Sequence, residues 1–393
     1  MRKVLIYFQE SELAPVGGPK GYLYNLKKEL DNMPHRNDIE ISFVKGGREK
    51  INKCKNKIEA MKPGKVKNIL LCIKSIIKHF LLLYGKKHIS LVNLDAFDYV
   101  HFHSTLDMYN VRDSLREYKG KIILSSHSPT LLSKEILNSV PRFEKKMCGF
   151  ICKNLIRMDE YAFEKADYIF FPCKESEEPY FHAWDKYKII KEKKKLSYRY
   201  LLTGIQECTV KKSRGEIREK YSIPENAFVI CFVGRHNFIK GYDLFIKICE
   251  QLLRDNKVYV LVAGTESSLL GLEDKRWIRV GWTKDPYSII NASDVFVLPN
   301  RETYFDLVLL EVLSIGKIIV ASNTGGNKFF GKEKYRGIFL YNTIEEAVNQ
   351  ITKIKGLDNA KRQELEQNNK RIFMGEFTAR TFAQNYISQI LKL

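Results

Sequence analysis

Residues 294–327, DVFVLPNRETYFDLVLLEVLSIGKIIVASNTGGN, leave the chain few folds to choose from. The apolar run 295–298 (VFVL) stops at Pro299-Asn300, the pattern of a strand buried on both faces that ends in a loop. Residues 307–313 (LVLLEVL) are apolar on every side except at Glu311, which predicts a buried helix. A carboxylate buried without partners is costly or gives up its charge. Glu311 therefore needs hydrogen-bond donors; a ligand's hydroxyls would supply them, and a core arginine is the plainer alternative. Asp306 stands where it can cap this helix and leave first-turn N–H groups for an anion. Gly316 closes the helix, residues 317–322 (KIIVAS) read as the next strand, and Thr324-Gly325-Gly326 reads as a flexible turn.

The same alternation runs through the chain. Residues 3–8 (KVLIYF) form a first strand, followed by the glycine-rich turn Gly17-Gly18-Pro19-Lys20-Gly21 and a helical pattern from Tyr22 to Leu30. That turn lets backbone approach a ligand closely, but its spacing is neither GxGxxG nor a P-loop. Residues 39–44, 99–103 and 121–125 are further strands, and residues 166–172 (ADYIFFP) read as the last of this half. Two of them end in histidines, His103 and His127, at the strand ends where open α/β sheets bind ligands. A polar hinge over residues 206–226 leads to a second series of strands at 228–233, 258–264 and 278–282. Strands alternating with helices at this spacing predict two parallel α/β domains, 1–205 and 206–376. The amphipathic segment 377–393 is expected to cross back and complete the first.

The chain has 393 residues and a formal net charge of +20, which calls for an anionic partner. Residues 45–87 hold 13 Lys and Arg against two acids, Glu49 and Glu59. Within them VKNILLCIKSIIKHFLLLYG spaces Lys67, Lys74 and Lys78 through an apolar background. One reading is a core-packing helix with a solvated basic face; the other is a helix lying on an anionic membrane surface. The basic, aromatic stretch around Trp184, Lys186, Tyr187 and Lys188 suggests a second contact with a phosphate-rich surface. No run of 18 apolar residues exists. MRKVLIYFQE opens like a strand, without the apolar core of a leader. The eight cysteines are scattered without redox or zinc spacing, as in a reduced cytoplasm.

Gly234-Arg235-His-Asn-Phe-Ile-Lys240-Gly241 places two cations just after a strand, where a departing diphosphate would gather charge. Arg235 supplies a rigid fork and Lys240 a point charge on a flexible stem. Together with the 294–327 stretch, this resembles the retaining GT-B glycosyltransferases of family 4, whose G-R-x4-K-G pattern is matched over its whole length. In the family a Glu, an F-G pair and a second Glu follow a strand. Glu311 takes the place of the second Glu, Phe305 of the Phe, Asp306 of the Gly and Thr303 of the first Glu. The chain thus departs from the pattern at two positions, and Glu302, one residue earlier, could supply the missing acid.

The resemblance implies two Rossmann-like domains facing across a cleft, with the nucleotide-sugar donor bound in the second. Arg235, Lys240, Glu302 and His127 would serve the reaction, His127 by orienting the sugar, with His103 beside it. Gly17 and Gly18 would lie across the cleft from the diphosphate. Gly234 and the backbone from Thr303 through Tyr304 and Phe305 to Leu307 would cradle it. Gly264, Gly281 and Trp282 would read the base, and Glu311 would accept from the ribose hydroxyls. No DxD occurs, so no cofactor and no divalent metal are expected. The activity implied is transfer of a hexose or N-acetylhexosamine, UDP-linked by preference, to a lipid-linked or saccharide acceptor in bacterial polysaccharide biosynthesis. The enzyme would sit peripherally on the cytoplasmic face of the membrane. A UDP-sugar 2-epimerase of the same fold is the alternative; it would need carboxylate acid/base residues in the cleft. A nucleic-acid binder would explain the charge but not Arg235, Lys240 and Glu311, and no nucleic-acid motif is present.

Overall fold

The computed structural model describes residues 1–9, 13–15, 18–44, 64–85, 89–139, 149–265 and 269–393. Two six-stranded sheets, parallel throughout, organise it. The first contains β1 (Arg2–Tyr7), β2 (Ile39–Phe43), β3 (Tyr99–Phe102), β4 (Lys121–Ser125), β5 (Tyr168–Phe171) and β6 (Tyr198–Tyr200), in the order β2-β1-β3-β4-β5-β6. The second contains β7 (Phe228–Val233), β8 (Val258–Ala263), β9 (Trp277–Gly281), β10 (Val295–Leu298), β11 (Ile318–Ser322) and β12 (Ile338–Tyr341), in the order β12-β11-β10-β7-β8-β9. This is the GT-B architecture.

The apolar runs become strands because helices cover both faces of each sheet. β10 is buried along its whole length, with Val295 opposite Ile318 of β11. Each such side chain contributes about 2 kcal/mol of burial. In both sheets the strand order reverses at a central pair, β1 beside β3 and β10 beside β7, where ligands of open α/β sheets settle. The last helix, Ala379–Leu391, packs on the first, Gly18–Asn32, and Phe382, Ala383, Tyr386, Ile387 and Ile390 join the core of β1. The chain crosses between the sheets twice, and the crossings are laced together. Ile205 N donates to Phe377 O at 2.9 Å and Ala379 N to Ile205 O at 2.7 Å.

Several expectations are corrected. β5 is not the last strand of its sheet, since β6 pairs beside it from Ile169↔Tyr198 to Phe171↔Tyr200. The polar hinge contains a helix, Arg214–Lys220, opened by a capping box between Ser213 and Glu216. Its Arg218 is buried and reaches Asp294 at 2.8 Å. The basic, aromatic stretch is two helices, Glu178–Ala183 and Lys186–Lys193, with Tyr180, Trp184 and Tyr187 inside the core. Lys186 and Lys191 pair with Glu160 and Glu177, so the aromatic spacing there is packing. The turn at Gly325 is the start of a tight 3-10 segment, Gly325–Phe330, whose Gly326 N–H donates to Thr303 O at 3.2 Å.

Candidate active site

A cleft of about 710 Å3 lies between the sheets, lined by the loops that follow the strands' C-terminal ends. From the first half come Gly18, His103, Ser126, His127 and Ser128; from the second, Gly234, Arg235, Lys240, Gly264, Trp282 and residues 302–308 with Glu311. The loops after β7 and β10 meet at the switch point of the second sheet, which brings Lys240 to the N-terminus of the Leu307–Ile315 helix, with Arg235 lining the same cleft. Of the residues singled out in the sequence, Gly17 lies outside the described ones. Gly281 is not among the lining residues; its carbonyl accepts from Gly264 N at 2.9 Å. Every other candidate lines this cleft.

The cations differ in state. Arg235 is exposed and makes no ion pair among the described residues. Lys240 is tied to Asp306 at 2.5 Å, and Asn300 Nδ2 donates to the same carboxylate oxygen at 2.7 Å. Burial opposes ionisation of Asp306, but the Lys240 charge and these hydrogen bonds more than offset it and hold the carboxyl below its usual range. Asp306 is therefore not the side-chain cap its position suggests. It occupies the N-cap position without a well-formed capping hydrogen bond, since its carboxylate is turned mainly to Lys240 and Asn300, with the Val308 N–H adding only to the downward shift. The start of the helix stays available to an anion.

Glu311, one turn inside the helix, accepts from the Tyr287 hydroxyl at 3.3 Å. Burial pushes its carboxyl up to about 7, and the nearby Asp306 charge adds to the shift. The alternative partner, a core arginine, is absent from its hydrogen bonds among the described residues. Tyr287 itself escaped the sequence reading; it sits in the first turn of the Pro286–Asn291 helix, just beyond Trp282.

Two of the glycines are required by the backbone. Gly241 has φ +66, and a Cβ there would stand 1.7 Å from Pro299 O, so the β7 and β10 loops touch only because it is bare. Gly264 has φ +135 and would drive a Cβ to 1.8 Å from Gly234 O. Its reason to be glycine is this close approach of two loops.

On the facing wall His127 Nε2 and His103 Nδ1 are 2.9 Å apart, with the rings stacked. His103 in turn lies against His101, the rings tilted by 32°, and the nitrogens of His101 meet Tyr386 and Ser125 at 2.9 Å. Burial pushes His127 down to about 3 and holds His103 well below its ordinary range, so both rings are neutral. Glu302 Oε1 lies 3.2 Å from His182 Nδ1 of the first half. Three buried atoms of lining residues have no hydrogen-bond partner: His103 Nε2, Asn300 Oδ1 and Glu302 Oε2. Buried polar atoms normally have partners, so this cleft fits a ligand rich in hydroxyl groups. Asn300 is a further residue the sequence reading passed over; it appeared there only as the stop to a strand.

The chain is similar to known glycosyltransferases in sequence and in fold. Residues 213–372 match the family model Glycosyl transferases group 1. The chain is 29% identical over 157 residues to a UDP-Gal:alpha-D-GlcNAc-diphosphoundecaprenol alpha-1,3-galactosyltransferase of Escherichia coli, covering 36% of this chain and 40% of that one. It is 28% identical over 134 residues to a D-inositol 3-phosphate glycosyltransferase of Saccharomonospora viridis, covering 29% and 31%. The chain thus spans less than half the length of these curated relatives. Among solved structures, Anabaena HepE in complex with UDP-glucose superposes with a TM-score of 0.63 at 16% identity over 100% of both chains. Sucrose-phosphate synthase from Thermosynechococcus elongatus gives 0.62 at 16% identity, over 100% of this chain and 98% of that one. These likenesses show the GT-B fold.

Proposed function

We propose that the protein is a retaining glycosyltransferase of family 4. It would move a hexose or N-acetylhexosamine from a UDP-sugar to a lipid-linked or polysaccharide-precursor acceptor at an anionic membrane surface. The observation that carries this reading is the meeting, at one switch point, of an unpaired Arg235, Lys240, and a helix N-terminus without a side-chain cap. The diphosphate lies against these three, and Glu311 one turn further in takes the ribose hydroxyls. As the bond from the anomeric carbon to the phosphate oxygen breaks, charge builds on the diphosphate, where Arg235 and Lys240 stabilise it. The acceptor oxygen bonds to the anomeric carbon on the same face, and its proton passes to the departing phosphate oxygen. No carboxylate nucleophile is needed. His127, neutral and braced by His103, orients the sugar. Asn300 and Glu302, each with a spare buried oxygen, accept from its hydroxyls. With two cations and a helix N-terminus against the diphosphate, the reaction proceeds without a divalent metal.

The test is turnover in EDTA across UDP-, GDP- and dTDP-sugars with a polyprenyl-linked acceptor. Release of nucleoside diphosphate from one donor is expected, with kcat/KM reduced about 100-fold or more in Lys240→Ala and in Arg235→Ala. An altered sugar recovered still attached to its nucleotide would mark an epimerase instead.

A further inference from the structure

The helix Lys65–Tyr84 has one face that stays largely exposed among the described residues. Cys72, Leu82 and Leu83 are buried, and the latter two lie against Tyr109, Ile151, Leu155 and Met158. Val66, Ile69, Leu70, Ile73, Ile77, Phe80, Leu81 and Tyr84 are all exposed, Ile77 at 53% and Leu81 at 55%. Their spacing of three and four residues lines them along the helix as one stripe. Phe150, at 58% exposure, stands on the neighbouring Gly149–Asn154 helix that packs against this one. A contiguous apolar surface of this kind marks an interaction site.

Charge chooses the occupant. The helix has no acid and carries Lys74, in a chain of net charge +20. Two copies meeting on this face would set like charges together, whereas anionic lipid headgroups would neutralise them. Among the described residues no helix is long and apolar enough to cross a membrane. A helix with an apolar stripe beside lysines lies in the interface instead.

We infer that the exposed stripe of the Lys65–Tyr84 helix seats the protein on an anionic lipid bilayer by inserting its apolar side chains. This deepens the proposed function and rests on it only for the identity of what is delivered. The seat adjoins the cleft. Leu106 and Leu132 pack against the cluster that holds Leu82 and Leu83, and both also line the first-half wall of the cleft. An acceptor carried on a lipid would enter along that wall.

The experiment is flotation of the full chain with vesicles of phosphatidylcholine alone or mixed with phosphatidylglycerol, for the unaltered protein and Ile73→Glu with Ile77→Glu. Binding to the anionic vesicles is expected, about tenfold or more weaker in the double variant even at low salt. Hydrogen exchange on the unaltered protein should show vesicle-dependent protection within residues 66–84, a readout that survives if the variant misfolds. Absence of flotation, undiminished flotation of a folded variant, or a dimer dispersed by the same substitutions would overturn the proposal. UDP binding measured on the same samples separates the two readings: vesicle binding without UDP binding sinks the transferase alone, and the reverse sinks the lipid seat alone.

Discussion

The Tyr287 hydroxyl, 3.3 Å away, is one long hydrogen bond for a carboxylate sunk against an apolar helix, and it does not offset the burial of Glu311. The carboxyl accordingly sits at about 7 rather than 4.5. The sign of the consequence follows from proton linkage. The folded protein holds this proton over a range where the unfolded chain has lost it. Glu311 therefore costs stability increasingly as pH rises from about 4.5 to about 7. Glu311→Gln should raise stability at pH 8 by roughly 2 kcal/mol, read from denaturant unfolding. A ligand whose hydroxyls donate to Glu311 needs the ionised form. UDP affinity in titration calorimetry should fall by up to about tenfold per pH unit below 7, a slope the glutamine variant would lose. Asp306 offsets the charge of Lys240 at the position proposed for the diphosphate. Asp306→Asn should tighten UDP by about tenfold at low salt, with the gain fading as salt is added.

At the scale of elements, the loops after β7 and β10 are pressed together at Gly241 and Pro299. Gly241→Ala combines a left-handed backbone with a Cβ 1.7 Å from a carbonyl oxygen. It should cost about 2–4 kcal/mol and lower the unfolding midpoint of the second domain, measured calorimetrically. The sequence showed this glycine only as the end of a G-R-x4-K-G pattern; the contact that demands it lies 58 residues away and is invisible to local reading. Strands such as β10 were legible because burial on both faces makes them uniformly apolar. β6 was not, since three residues, Tyr198–Tyr200, are too short to display a period. Tyr180, Trp184 and Tyr187 did carry a helical spacing that marks them as core, but the surrounding lysines drew attention to the surface. Arg235, Lys240 and Glu311 were legible in the site because each breaks an apolar or loop context with charge. Asn300 and Tyr287 were not, because their value comes from what the fold sets beside them.

Across the whole molecule, the two halves are joined by different kinds of contact. At the crossings the joint is backbone, Ile205 bonded to Phe377 and Ala379, with Gln206 N donating to Asn25 Oδ1 at 2.9 Å. Elsewhere Tyr304 packs on Phe171, and side chains add polar contacts: Glu178 of the first half accepts from Gly325 N at 3.2 Å and from Lys328 Nζ, while His182 reaches Glu302. Backbone pairing fixes an axis; partly exposed ion pairs contribute little each, about 0–1 kcal/mol. They are suited to being made and broken as a ligand enters and leaves. Glu178→Ala with Lys328→Ala should therefore leave overall stability within about 1 kcal/mol and still open the cleft, seen as a larger radius of gyration in solution scattering. In the proposed reading UDP is held by groups of the second half and His127 orients the sugar; on that reading UDP affinity should hold within about threefold, whereas turnover should drop about tenfold or more. If affinity fell instead and turnover at saturation held, the clasp would be part of the nucleotide pocket, and closure of the two halves would not be what positions His127.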